Sequence, residues 1–438
     1  MGREITQWTY NHLEPGNVAD LPKHVHFEAS DYTRLNQKTP QQAWTLFGQI
    51  RLWRTGYRPT DKSGDPTIFP LAMSLGLIHG ATPGLAKRAA HLLADTGSSQ
   101  GRTLRQLRQD HGVGWGVKKL REVTAAVSKA MARQRHKAQV RKLHSWLTAA
   151  SDSTGRHKPV LSVGRDGITM AVRGKKSNVR EVATTATLTV YDRRSKRLGT
   201  VYLAYAPQLG QATMTKELTR LLNDVLAGWQ GKLPRLCYVS DSGDRETNYY
   251  RKALSRMKHP VTGEKLDWVR VVDYYHASER IWTMADQLFG KGSRAQSWAR
   301  KMLKWLLKPA GVNRVLHSAV AFRDTYKLKG ERLEVFTTAY KYLRKRMKHM
   351  KYAEYRRVGV PLGSGVTESA CKNIYTQRLK LSGMRWEKPG AQTVLNLRTI
   401  LLSDIWDDTF DAILTECKVP TIRGQMMFPE LCPLDSAV

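Results

Sequence analysis

The residues best equipped for chemistry fall in one run, Gly363 to Trp386, GSGVTESACKNIYTQRLKLSGMRW. Two glycines and a serine turn the chain, and Val366, Ala370, Ile374 and Leu379 then recur at helical spacing. Glu368 is thereby expected in a first helical turn, where the helix dipole and free backbone N–H groups favour an ionised carboxylate. A hard cation prefers the same oxygens. Lys372, Thr376 and Leu379 follow on that face, and Arg378, Lys380 and Arg385 make the flank basic. One acid on a basic helix suits a carboxylate that holds a metal against a phosphodiester while its neighbours neutralise the adjoining phosphates.

Such a group needs a polyanion to act on, and the composition points to one. Of 438 residues, 72 are Lys or Arg and 37 Asp or Glu, a formal charge of +35. From residue 404 onward seven acids face two bases, which leaves about +40 on the first 403 residues. No apolar run approaches the roughly 18 to 20 residues of a membrane span, and MGREITQW has no signal-like core. Cys237, Cys371, Cys417 and Cys432 lie too far apart for a disulfide framework or a CxxC knuckle, so a reducing, cytoplasmic protein is expected.

Further acids and bases need elements to position them. Residues 1–60 are mixed and turn-rich, with a short strand-like piece near Gln49 to Trp53, and the segment 1–80 has no readable role. From Thr82 a helix is expected through about Leu93, and Leu104 and Leu107 mark a second. The glycine-rich break at 112–116 leads into VKKLREVTAAVSKAM, whose apolar stripe is Val117, Leu120, Val123 and Val127, with Lys118, Lys119 and Arg121 off it. Helix, glycine turn and basic helix fit either a DNA-reading helix-turn-helix over 81–135 or an ordinary helical hairpin, and a mainly helical N-terminal DNA-binding region is expected. Residues 136–157 are expected to run from a helix into a linker.

Past 158 the period changes from helical to alternating. Val160 to Val172, Val182 to Tyr191 and Thr200 to Tyr205 predict three strands. A helix on Met214, Leu218, Leu221, Leu222, Val225, Leu226 and Trp229 follows, then strand Leu236 to Ser240, a helix from about Arg245, strand Trp268 to Val272 and a helix from about His276. Three meandering strands followed by β-α-β-α is the order of an RNase H-like α/β fold, in which sites form at the carboxyl ends of central strands. Asp166, Asp241 and Asp273 stand at such positions.

Between His276 and Gly363 the sheet pattern disappears, and an all-helical insertion is expected over 291–360. Trp298 and Trp305 read as core aromatics. Tyr340 to Arg357 carries eight Lys or Arg residues and one His in eighteen positions with Glu354 as its only acid, a run suited to phosphates that includes Lys345, Arg346 and Lys348. Residues 158–290 and 361–410 would form the two parts of the α/β core, and 411–438 an acidic tail.

Glu368-Ser369-Ala370-Cys371-Lys372, Arg378-Leu379-Lys380, Ser382-Gly383-Met384-Arg385-Trp386, Gly390-Ala391 and Leu395-Asn396-Leu397-Arg398 resemble the final catalytic helix of bacterial insertion-sequence transposases. The group is the Kra-type, related to Mutator-like elements. Asp273-Tyr274-Tyr275-His276 resembles their D-x-x-H element, with Asp273, His276 and Lys372 as accessory positions. The resemblance covers roughly 158–410. It implies an RNase H-like DDE site formed by Asp166, Asp241 and Glu368, two Mg²⁺ or Mn²⁺ ions on those acids, and DNA contacts including Trp386. It also implies recognition of terminal inverted repeats and target DNA, a homo-oligomeric synaptic complex, and a place at the bacterial nucleoid. Two ions roughly 3.5–4 Å apart need shared carboxylates, so three acids suffice without a covalent intermediate. No Cys precedes Cys237, which excludes the zinc knuckle that relatives often carry in the N-terminal half. Where relatives follow the second acid with Gly-Ala-x-Trp, this chain has DSGDRETNYY, which leaves Asp241 and Asp244 both open. The implied activity is metal-dependent DNA cleavage and strand transfer. The alternatives are a structure-specific nuclease that cuts without joining, and a domesticated transposase that binds DNA as a non-cutting regulator.

Overall fold

The computed structural model describes residues 1–61, 64–174, 178–416, 418–422 and 425–428. It is a mixed α/β protein of two units, Met1–Ala138 with Leu381–Val438, and Gln139–Lys380. The first unit begins with α1 (Gly2–Asn11), β1 (His24–Phe27), β2 (Ser30–Thr45) and β3 (Gly48–Pro59). Helices α2 (Pro70–Ser74), α3 (Pro83–Ala94) and α4 (Gln100–His111) follow. Gly112 closes α4 in the left-handed region (φ 62°), a conformation glycine takes without a Cβ penalty. The next helix, α5 (Val117–Asp152), starts in the first unit and ends in the second. The expected linker over 136–157 is therefore helical as far as Asp152. No glycine or proline interrupts 117–152, and buried Ala138, Leu143, Leu147 and Ala150 prolong the apolar stripe.

The second unit holds β4 (Val160–Arg173), β5 (Asn178–Tyr191), β6 (Arg197–Tyr205), α6 (Ala212–Gly228), β7 (Arg235–Ser240), α7 (Asp244–Lys252) and β8 (Trp268–Val272). The five strands form one sheet in the order β6-β5-β4-β7-β8. The first three are antiparallel, whereas β7 runs parallel to β4 and β8 parallel to β7. The apolar stripe of α6 covers one face: Met214, Leu218, Leu222 and Val225 pack with Leu161, Val163 and Leu188. The other face, with Val160, Cys237, Val239 and Val271, packs with Ala277, Ile281 and Met284 of α8 (Tyr274–Phe289). Each fully buried aliphatic side chain of this kind stabilises the fold by about 1.5–3 kcal/mol. After β8 the described chain is helical to the Glu368 helix, through α9 (Ser293–Leu306), α10 (Gly311–Thr325), α11 (Gly330–Arg346) and α12 (Tyr352–Arg357). Trp298 is core, as expected: it is 6 % exposed and donates from its ring N–H to Ser318 Oγ at 2.9 Å. Then comes α13 (Gly365–Cys371), which continues into a π-helical turn over Lys372–Thr376.

The first unit resumes with α14 (Lys388–Leu402), α15 (Trp406–Thr415), β9 (Thr421–Ile422) and β10 (Gln425–Met426). Leu397 and Ile400 of α14, with Trp406 and Phe410 of α15, share a core with Leu85, Leu107, Leu120 and Val123. Arg398 is buried because it is a cap: its guanidinium donates to Ala94 O at 2.6 Å and Thr96 Oγ1 at 3.0 Å, at the C-terminal end of α3. The N-terminal part is not mainly helical as expected, since β10-β9-β1-β2-β3 form a five-stranded antiparallel sheet. The strand-like piece at 49–53 belongs to β3, whose pairing with β2 runs from Tyr32↔Pro59 to Thr45↔Gly48. The expected acidic tail also differs at its start. Residues 411–415 close α15, and Lys87 Nζ reaches Asp407 at 2.7 Å and Asp411 at 3.8 Å. Residues 429–438, with Cys432, and also Cys417, lie outside the described residues. No described helix is long and apolar enough to cross a membrane.

Candidate functional site

Register places the acids. In the parallel pair β4/β7, Gly164 stands opposite Val239, so two residues further Asp166 stands level with Asp241. In β7/β8, Ser240 stands opposite Val272, and the next residues are Asp241 and Asp273. The ladder continues there, with Asp273 N donating to Ser240 O at 2.9 Å. Asp166, midway along β4, is thus level with Asp241 and Asp273, which directly follow the neighbouring strands β7 and β8.

Glu368 arrives from above the sheet, in the first turn of α13. Gly164 makes room for it. A Cβ built there would overlap Thr367 Oγ1 and come 2.9 Å from Thr187 Oγ1. Thr367 and Thr187 hydroxyls bond each other at 2.8 Å, which ties α13 to β5 directly behind the acid. Next along α13, Cys371 Sγ donates to Asp166 Oδ2 at 3.4 Å, and Gly167 N donates to Oδ1 at 2.7 Å. Burial raises the Asp166 pKa; the bonds from Gly167 and Cys371 lower it, and the charges of Asp241 and Glu368 raise it again. Three carboxylates that feel one another in this way favour a shared cation.

The Asp241 turn is pinned from α11. Tyr342 OH donates to Asp241 O at 2.6 Å, and Arg346 Nη2 donates to Ser242 O at 2.9 Å while stacking on Tyr342 at 4.1 Å. Asp241 Oδ1 accepts from Gly243 N at 2.9 Å. Asp244 is exposed at the first position of α7, whose cap is Gly243 with no side-chain bond, so Asp244 does not cap that helix. Of the two open alternatives, Asp241 is the one whose charge reaches Asp166.

Asp273 is fully buried and caps α8, accepting from Tyr275 N at 2.6 Å and His276 N at 3.0 Å. Its other oxygen accepts from the backbone and hydroxyl of Ser364. Burial alone would raise its pKa, but His276 and these donors hold it at about 2. His276 Nδ1 lies 3.5 Å from Asp273 Oδ1 and 3.7 Å from Glu368 Oε1, completing a hydrogen bond with neither. Asp273 beside it pushes His276 up to about 9 against the opposing effect of burial. Ser364 Oγ also lies 2.7 Å from Glu368 Oε1, so its single hydroxyl proton can serve either acid while the Ser364 N–H holds Asp273. One ligand atom each from Asp273, His276 and Glu368 lie within 4.8 Å of one another, a possible metal-binding triad. Of this triad, Glu368 is one of the three acids expected to hold metal, and Asp273 and His276 are two of the accessory positions that the resemblance implies.

The basic positions divide by exposure. Lys118, Arg121, Lys345, Lys348, Lys372, Lys380 and Arg385 are exposed, and Lys119 and Trp386 half-buried. Arg121 is held by Gln100 Oε1 at 3.0 Å. Arg346 serves the Asp241 turn. Arg378, expected to face a phosphate, is instead fully buried, because the π-helical turn rotates the chain after Thr376 out of the α-helical phase.

Glu246 escaped sequence reading. It sits on α7 only 8 % exposed, its pKa raised by burial and by Asp241 and Asp166, and lowered by its own backbone N–H and by Arg165. An acid in the polar run DRETNYY carries no signal of burial. Comparison of the chain with protein-family models and with curated proteins found no match to either.

Proposed function

We propose that the protein is a DNA transposase that cuts and joins strands at phosphorus, with Asp166, Asp241 and Glu368 as its acids. The observation that carries this reading is Asp166 on β4 level with Asp241 and Asp273, which follow the ends of the adjacent strands β7 and β8, with Glu368 of α13 close enough for its charge to act on Asp166. The strand order, three antiparallel strands followed by two parallel ones, supports an RNase H-like core, with the helices between α8 and α13 as its insertion.

The donor set fits a divalent cation: the carboxylates of Asp241 and Glu368 both act on Asp166, and hard oxygens of this kind suit Mg²⁺. Asp166, Asp241 and Glu368 would hold Mg²⁺ or Mn²⁺, which activates a water or 3′-hydroxyl and stabilises the leaving oxygen. The protein's own contribution is position. Thr367 and Ser364 fix Glu368, Tyr342 and Arg346 fix the Asp241 turn, and Gly167 and Cys371 aim the Asp166 carboxylate. His276, charged at neutral pH, lies where it can neutralise a phosphate oxygen next to Glu368.

A charge of +35 makes DNA the natural polyanion. Log affinity for duplex DNA is expected to fall linearly with log salt. Lys345→Ala with Lys348→Ala should reduce the slope by about 2, one for each lost phosphate contact, with equal losses on cognate and random duplexes. A salt-insensitive affinity would contradict DNA as the partner. Strand joining separates this activity from that of a nuclease: a supplied 3′-hydroxyl end should be transferred into target DNA in the presence of Mg²⁺. Cleavage without transfer would favour the nuclease.

A further inference from the structure

Arg270 is the charged side chain that packing of the sheet explains least. It lies on β8, at the edge of the sheet, between the apolar residues Trp268 and Val272 of the same strand face. It is only 9 % exposed, and its Nε is buried without a hydrogen-bond partner. Nη2 donates to Thr247 Oγ1 at 2.7 Å, and the guanidinium lies over the Tyr250 ring, 5.1 Å from the centroid. Thr247 Oγ1 in turn lies 3.3 Å from Ser242 O, which Arg346 Nη2 reaches at 2.9 Å. Two guanidinium groups are thus joined through two oxygens of the segment that follows Asp241. His349 belongs to the 3₁₀ turn Met347–His349 after α11 and meets the Tyr250 ring edge-on at 6.1 Å, with exposed Lys348 next to it in the chain.

No acid balances these groups. The strongest electrostatic influences on Arg270 come from tyrosines and from Arg346, those on His349 from Arg270 and Lys348, and no carboxylate is among them. Burial, with Arg270 and Lys348 adding to it, pushes His349 down to about 4, so its ring is neutral at neutral pH. A buried guanidinium among like charges is costly to a fold unless an anion joins it. Phosphate oxygens suit this donor set, since they accept from a guanidinium edge, an imidazole N–H and an ammonium together. We infer that Arg270, His349 and Lys348 form a phosphate-binding site beside the Asp241 turn. Its occupant, which rests on the transposase reading, is a phosphodiester of bound DNA. Arg346 stays on Ser242 O and supplies field there instead of a bond.

Two measurements on the full chain test this: melting in inorganic phosphate against chloride at equal ionic strength, and affinity for random duplex DNA as a function of salt. The parent should melt higher in phosphate. Arg270→Gln should lose that gain while melting as the parent does in chloride. It should bind duplex about tenfold more weakly, with a log–log salt slope smaller by about 1. Arg270→Lys, which keeps the charge without the fork, should keep the slope at intermediate affinity, and it carries the test if the Gln variant does not fold. Loss of the phosphate response with parent-like DNA binding would keep the site but make free phosphate its ligand, overturning the phosphodiester. Parent-like phosphate response and DNA binding in the folded variants, whether or not they melt lower in chloride, would overturn the site and leave the transposase reading intact. If the parent itself binds no DNA, that reading falls, and the phosphate response alone decides the site.

Discussion

Gly164→Ala is expected to cost about a hundredfold in metal-dependent DNA cleavage while the protein still folds and binds DNA. The added methyl overlaps Thr367 Oγ1 and crowds Thr187 Oγ1 at 2.9 Å, and both hydroxyls are buried and bonded to each other. Neither can rotate away without losing its partner, so α13 must lift from β4 and carry Glu368 with it. Overpacking of this kind costs about 1–3 kcal/mol of stability, and a shift near 1 Å at the reacting groups costs about 10²-fold in rate. Gly164→Ala combined with Thr367→Ala removes the overlapping oxygen and should recover most of the lost rate, leaving Thr367 Cβ at a tight 3.1 Å. Steady-state cleavage rates and melting temperatures of the two variants check this. Full activity in the single variant would show that α13 is not seated on Gly164.

How much of this was legible depends on which face of each element is buried. β4, β7 and β8 are covered on both sides, so their apolar runs declare them, and Asp166, Asp241 and Asp273 stand out where the runs end. β2 is half-exposed, polar and contains Pro40, so its pairing with β3 left no alternation to read. The course of α5 past residue 136 was hidden by basic residues between its buried apolar ones. Arg378 looked like part of a basic flank because the helical phase was extrapolated through a turn that changes it. Gly164 gave no signal, since it is explained by a contact far away in the chain, with Thr367.

The largest loss should come from the acids themselves. Asp166→Asn, Asp241→Asn and Glu368→Gln each remove charge that a divalent cation needs, while nearly isosteric amides preserve the packing. Mutual repulsion already strains the site, for Asp241 and Glu368 both act against ionisation of Asp166. The metal-free variants should therefore melt at or above the parent temperature and bind DNA as it does. Exposed Asp244 makes no capping bond, so Asp244→Ala should change stability and activity little. The most direct measurement is strand cleavage of a duplex carrying the element's end, with Mg²⁺, Mn²⁺ or chelator, by the parent and these four variants. The account predicts metal-dependent cleavage by the parent and by Asp244→Ala, and none detectable from Asp166→Asn, Asp241→Asn or Glu368→Gln. Parent-like cleavage by a folded Asp241→Asn or Glu368→Gln, or cleavage by the parent in chelator, would contradict it.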